Sequence, residues 1–273
     1  MKRVTLKRID AKIGFGKIEY LLSINWINPL YTLWLNFRTL PFFKAIFFPI
    51  WVYGRPRIYC LSGKIEIEGP IKSGMIVINK NAPGAPSLST VQGEINIFGR
   101  IVFRGKANIC SGVKLYSSGE LIIGKDVQIM DLCSICCRNS ISLGRGVCVS
   151  HGSQIMDSNY HFTINLANGY ISPEESTISI GESCWIANHC NISGGAVLPD
   201  FSVVASGSMI NKNLEGEGKF SLFAGCPARV VKRQITRVFN LEIEKQARAY
   251  YKNHPSGKYF VTDLNIEKIS RYE

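Results

Sequence analysis

Over residues 180–210, the aliphatic side chains Ile180, Ile186, Ile192, Leu198, Val204 and Ile210 recur at a spacing of six. Five of the six are followed four positions later by a small residue: Cys184, Cys190, Ala196, Ser202 and Ser208. Neither a helix nor a strand repeats in this way, since helices repeat about every 3.6 residues and strands about every 2. A three-sided coil does. If three short parallel strands complete one turn, every sixth residue takes an equivalent inward place, and the small residue fits the tight corner that follows. With a hydrophobic fraction of 46%, six hits in a row arise by chance about once in a hundred per register, so the ladder is a structural signal. It predicts an all-β solenoid, a parallel β-helix of hexapeptide repeats.

The same spacing begins at Ile123 and runs through Ile129, Ile135 and Ile141, then slips by two and resumes at Leu143, Val149 and Ile155. The slip predicts an altered corner or short insertion, because the chain must re-enter the core in phase. Earlier still, Ile65 and Ile67, Ile95 and Ile97, and Ile101 and Phe103 alternate between Gly-bearing turns and read as irregular first coils, with a loop at 79–90. Residues 157–176 break the ladder altogether, and Asn168-Gly169 marks a turn there. Helical spacing returns at 238–253 and predicts a helix packed across the coil. These features divide the chain into an N-terminal segment at 1–57, a β-helix domain at 58–233 carrying the loop 157–176, and a C-terminal helix and tail at 234–273.

The N-terminal segment is the most basic part. It carries ten Lys or Arg against Asp10 and Glu19, and so holds +8 of the net charge of +12. Such an excess fits nucleic acid, an anionic membrane surface or solubility, and no nucleic-acid recognition motif accompanies it. Residues 20–37 lack charge, yet Pro29 with Asn25, Asn28 and Asn36 makes a poor spanning helix, which needs about 20 mainly apolar residues. Aromatics such as Trp34, Phe42 and Phe43 are interleaved with Arg38, Lys44, Arg55 and Arg57. Two readings follow: peripheral contact with an anionic membrane surface, or packing on the end of the coil or on a neighbouring subunit.

Nine cysteines, an odd number in a long chain with no visible secretory leader, predict a reducing cytoplasmic setting, at the inner membrane face if the first reading holds. Cys133, Cys184 and Cys190 each follow a ladder aliphatic by four, where a small buried side chain is wanted. The cluster Cys133, Cys136, Cys137 lacks a second ligand pair at zinc spacing, so no metal is expected.

The hexad ladder, the loop bearing His161, and the stretches Gly181-Glu182-Ser183-Cys184-Trp185-Ile186, Ala205-Ser206-Gly207-Ser208 and Ala224-Gly225-Cys226-Pro227-Ala228-Arg229 occur in this order. Together they resemble the left-handed β-helix, hexapeptide-repeat acyltransferases, most of all the O-acetyltransferases of sugars and capsular polysaccharides. The resemblance covers residues 95–233. It implies a left-handed parallel β-helix, acetyl-CoA as co-substrate, a sugar or glycan acceptor, and a homotrimer with active sites in clefts between subunits.

Acetyl transfer to a hydroxyl needs a base, and a neutral imidazole suits that role near neutral pH. Of the four histidines, His161 alone lies in the interrupting loop, in the string Asp157-Ser158-Asn159-Tyr160-His161-Phe162, which is similar to the family's catalytic-histidine motif. His161 is therefore the candidate general base. Asp157 or Asn159 either holds its second ring nitrogen or shapes the turn. His189 reads as a corner residue, His151 as a coil residue and His254 as part of the tail. The spacing of His151, His161 and His189 does not resemble that of the related zinc-binding gamma-type carbonic anhydrases.

By matching position, the resemblance places Trp185 beside the pantetheine arm, the Asn188 backbone N–H at the thioester carbonyl, and Ser206 on the pantetheine amides. It places Asn211, Lys212, Arg229 and Lys232 at the nucleotide end, where phosphates call for cationic donors. Ala205-Ser206 departs from the Gly-Ala that the family often carries. The expected activity is acetyl-CoA-dependent O-acetylation of a sugar in a surface polysaccharide, its repeat unit or a lipid-linked precursor. The alternatives are an N-acetyltransferase for an amino sugar nucleotide, which shares the donor site, and a non-catalytic β-helix binding module.

Overall fold

The computed structural model of the protein describes residues 26–81 and 91–271; the basic stretch 1–17 and the Pro83, Gly84 and Pro86 of the expected loop lie outside them. Three mainly parallel sheets of nine, seven and six strands run the length of the molecule, here called A, B and C. Successive strands visit them in turn. Val127–Ile129 lies in A, Ser134–Cys137 in B and Ser140–Leu143 in C, and Cys148–Val149 returns to A beside the first of these. The ladder residues Ile180, Ile186, Ile192, Leu198, Val204 and Ile210 all point inward and are buried, as are the corner residues Cys184, Cys190, Ala196, Ser202 and Ser208. One continuous aliphatic core therefore fills a parallel β-helix.

The coils come in two lengths, which accounts for the slip of two. Ile129 registers with Val149 and Ile135 with Ile155, 20 positions on, whereas Ile186 registers with Val204 and Ile192 with Ile210, 18 positions on. In the longer coils the strand in sheet C sends two residues inward, such as Leu121 with Ile123 and Ile141 with Leu143. The offset is thus the second inward position of a four-residue strand, and the expected altered corner or short insertion is corrected. The coils from Glu94 onward, expected to be irregular, keep the same 20-residue register, with Ile95 beside Leu115 and Ile101 beside Leu121.

Sheet A starts at Ile50–Val52, inside the segment read as 1–57. Its free edge is sealed by helix α1, Pro29–Thr39. Asn28 caps α1 by accepting from the Tyr31 N–H, and Pro29 occupies the first turn, where its missing N–H goes unmissed. The fully buried Asn36 donates to the Ile50 carbonyl at 2.7 Å and accepts from the Ile50 N–H at 3.2 Å. Thr32 accepts from the Val52 N–H at 3.0 Å. Asn36, one of the polar residues that spoil this stretch as a membrane span, thus joins Thr32 in pairing an edge strand that would otherwise stay open. A short helix α2, Phe42–Ala45, follows. Among the described residues, no helix is long and apolar enough to cross a membrane.

At the far end, the antiparallel hairpin Ser221–Gly225 with Ala228–Arg233 closes sheet A. Helices α3, Leu241–Asn253, and α4, Ile266–Ile269, come after it. The expected packing of α3 across the coil is corrected, because α3 buries none of its residues. The tail docks instead through buried Phe239 and through the Ser183 hydroxyl, which donates to the Ser270 carbonyl at 3.2 Å.

Candidate active site

The loop that interrupts the ladder leaves the corner between sheets B and C. Its base is closed like a zip: Ser158 bridges to Glu175, the Asn159 N–H donates to the Glu174 carbonyl at 3.1 Å, and the Ser176 N–H donates to the Asp157 carbonyl at 2.9 Å. Beyond the base, the strands Thr163–Asn165 and Tyr170–Ser172 form an exposed antiparallel hairpin. His161 sits between base and hairpin. Its ring is exposed and hydrogen-bonds to no described residue, so it is open to a substrate hydroxyl.

Asp157 makes no hydrogen bond to that ring. It is 1% exposed, and its two carboxylate oxygens accept from the Arg138 N–H at 2.8 Å and the Asn139 N–H at 2.9 Å. The side chain therefore stitches the loop's root to the corner one coil below, which is the turn-shaping alternative. Asn159 is exposed beside it. A group that sequence reasoning missed fixes the residue before His161. Arg138 lies 4.8 Å from the Tyr160 ring centroid while pairing with Glu175 at 3.1 Å and Glu174 at 3.5 Å. Tyr160 Oη lies 2.6 Å from Cys136 Sγ, and Tyr160 takes a positive φ of 60°. The 20-residue period was the signal that could have found Arg138, since it puts residue 138 beside residue 158.

The donor-side residues fall on other parts of the coil. Asn188 and Ser206 are exposed on successive turns of the corner between sheets A and B, where the Gly207 N–H donates to the Asn188 carbonyl at 3.0 Å. No described group accepts from the Asn188 N–H, which leaves it available to an oxyanion. The same corner stacks His151 and His189 edge to face at 5.5 Å, and His151 Nδ1 is buried without a described partner. Glycine is required next to them: Gly152 has φ 68°, and a Cβ there would meet the His189 ring at 2.6 Å.

Trp185 faces out from sheet A, but it is not free along its whole surface. Its Nε1 donates to the Ser150 hydroxyl at 2.8 Å, and the Arg237 guanidinium lies 5.1 Å from its ring centroid. One side of the indole expected beside pantetheine is thus covered by the C-terminal tail. Asn211 and Lys212 follow the last strand of sheet B, on the same side as the His161 loop, and Arg229 and Lys232 line the closing hairpin of sheet A. Lys212, Arg229 and Lys232 are all exposed and form no ion pair with a described residue, so their charge is open to phosphate.

Cysteine chemistry does not suit this site. Burial pushes the Cys133, Cys137 and Cys184 thiols up to about 12. Burial also raises Cys136, against the pull of its Tyr160 bond. Near neutral pH these groups are thiols, and the thiolate is the nucleophile. Among the described residues, no group of three or more His, Cys, Asp or Glu is arranged to hold a metal.

No family model matches the chain. Over 184 residues it is 33% identical to an uncharacterized 24.8 kDa protein in the cps region of Klebsiella pneumoniae, spanning 64% of this chain and 79% of that one. The chain is an acyltransferase whose relatives fit the hexapeptide-repeat family. A second relative of this acyltransferase is WbbJ of Escherichia coli K12, assigned to lipopolysaccharide biosynthesis as an O-acetyl transferase; it is 24% identical over 139 residues, 46% of this chain and 69% of its own. Among solved structures, the polySia-specific acetyltransferase NeuO aligns over 79% of this acyltransferase and 91% of its own chain, at 13% identity and a TM-score of 0.49.

Proposed function

We propose that this acyltransferase moves an acetyl group from acetyl-CoA to a hydroxyl of a sugar in a surface polysaccharide, its repeat unit or a lipid-linked precursor, with His161 as general base. The observation that carries the reading is the exposed His161 ring, unpartnered within the chain and held just past a base fixed by Asp157, Arg138 and Tyr160. In this mechanism neutral His161 takes the proton as the hydroxyl oxygen attacks the acetyl carbonyl. The new C–O bond forms, the C–S bond breaks, and the imidazolium returns the proton to the departing thiolate. The Asn188 N–H stabilises the oxyanion, Ser206 contacts the pantetheine arm beside Trp185, and Asn211, Lys212, Arg229 and Lys232 hold the nucleotide phosphates.

One chain separates these parts. His161 stands on the corner between sheets B and C, whereas Asn188 and Ser206 stand on the corner between A and B. The complete site is therefore shared between copies in a homotrimer, one copy's loop meeting the donor corner of the next. A catalytic solenoid running from Ile50 to Arg233, with the N-terminal cap and the C-terminal helices attached to its ends, is the matching domain division. The reaction takes place in the cytoplasm, and a lipid-linked acceptor brings it to the inner membrane face.

The test follows acetyl-CoA consumption by the full chain against a panel of glycans. His161→Ala is expected to lower kcat by two to four orders of magnitude, about what a general base supplies, with an unchanged melting temperature because the ring is exposed. A His161→Ala protein as active as the parent on every accepting glycan would remove the assignment.

A further inference from the structure

Helix α1 is amphipathic in the reverse sense. Its buried face is Thr32, Leu35, Asn36 and Thr39, three of them polar, because that face has to pair the open edge of Ile50–Val52. Its outer face is apolar: Leu30 is 75% exposed, Leu33 51%, Trp34 46% and Phe37 40%. These four fall at i, i+3, i+4 and i+7, one stripe along the helix. The stripe continues onto α2, since the Phe37 ring lies 5.9 Å from that of Phe42, and Phe42 and Phe43 are 71% and 65% exposed. A contiguous apolar surface of this kind marks an interaction site.

The charge around it selects the partner. No Asp or Glu occurs between Glu19 and Glu66, while Arg38 in the last turn of α1, Lys44 in α2 and Arg55 are cationic; Arg57, farther on, is paired with Glu94. An anionic bilayer offers both complements at once, negative headgroups for the cations and an acyl boundary for Leu, Trp and Phe. At 11 residues, α1 is about 16 Å long, well short of the hydrocarbon thickness of about 30 Å. Asn36 also ties it to the coil. We propose that the α1–α2 cap docks the enzyme on an anionic membrane surface, lying along the interface with Leu30, Leu33, Trp34, Phe37, Phe42 and Phe43 in contact with lipid.

This proposal stands apart from the acetyl-transfer reading, and its test uses no turnover. The full chain is floated with vesicles of phosphatidylcholine plus phosphatidylglycerol, and with vesicles of phosphatidylcholine alone. A variant combining Leu33→Ser, Trp34→Ser, Phe42→Ser and Phe43→Ser is run beside a Phe260→Ser control, which removes a residue 76% exposed elsewhere. The expected result is recovery with the anionic vesicles and little with the neutral ones, reduced by added salt. The fourfold variant should lose about tenfold in bound fraction and the control nothing. Equal recovery on both vesicle types, or on neither, overturns the proposal, as does a variant that floats like the parent. A variant that floats like the parent but elutes at a smaller mass would assign the surface to a second copy. One that floats like the parent but melts at a lower temperature would assign it to residues 1–25.

Discussion

A buried carboxylate with both oxygens on backbone amides is a structural group first. Asp157 accepts from the N–H groups of Arg138 and Asn139 at 2.8 and 2.9 Å, and it lies where the chain leaves the ladder for the His161 loop. Asp157→Ala leaves those two donors without their acceptors, which is expected to cost about 1 to 3 kcal/mol in urea unfolding. Asp157→Asn keeps one acceptor oxygen and should recover part of that loss, with kcat within about threefold of the parent well below the melting temperature. A ring-orienting role predicts the opposite pattern, in which Asp157→Asn unfolds like the parent and loses activity by orders of magnitude. The two measurements together separate a residue that shapes the loop's root from one that acts through the imidazole.

The strands of this enzyme were legible because each buries an aliphatic at a fixed interval, and an interval survives without knowledge of the fold. One feature of the ladder was misread, because a rule of one inward residue per side was overridden by the strand it describes. The slip from Ile141 to Leu143 reads as an altered corner or short insertion only while every side of the coil is allowed one inward residue; the four-residue strands of sheet C bury two. Helix α1 takes the coil-end packing that the sequence offered beside the membrane reading, and the detail out of reach was that Asn36 and Thr32 pair the open edge of sheet A. His161 stood out by breaking a repeat, whereas Arg138 hides inside one and becomes visible only through the 20-residue register. The α1 reading carries its own test. Asn36→Ala strips partners from both the N–H and the carbonyl of Ile50, and about 2 to 3 kcal/mol of stability is expected to go with them, while Thr39→Ala, which removes only a bond to the Leu35 carbonyl within the helix, should cost less. Equal losses for the two would mean that Asn36 acts within α1 alone.

At the scale of the whole molecule, the three-sided coil decides how many chains a site needs. Each corner repeats once per turn, so residues on different corners keep a full sheet between them however many coils are added. His161 belongs to the corner between B and C, and Asn188 with Ser206 to that between A and B. In the proposed homotrimer, one copy's loop turns toward the donor corner of the next and closes the separation. The consequence is complementation between two inactive proteins. His161→Ala removes the base and leaves the donor corner intact, whereas Ser206→Trp fills the donor corner and leaves the base. Each alone should be inactive, yet equal amounts co-expressed or refolded together should regain about a quarter of the parental specific activity, because in random cyclic trimers a quarter of the sites join an intact loop to an intact corner. A site contained within one chain predicts no recovery at any mixing ratio, since every chain would carry one of the two defects.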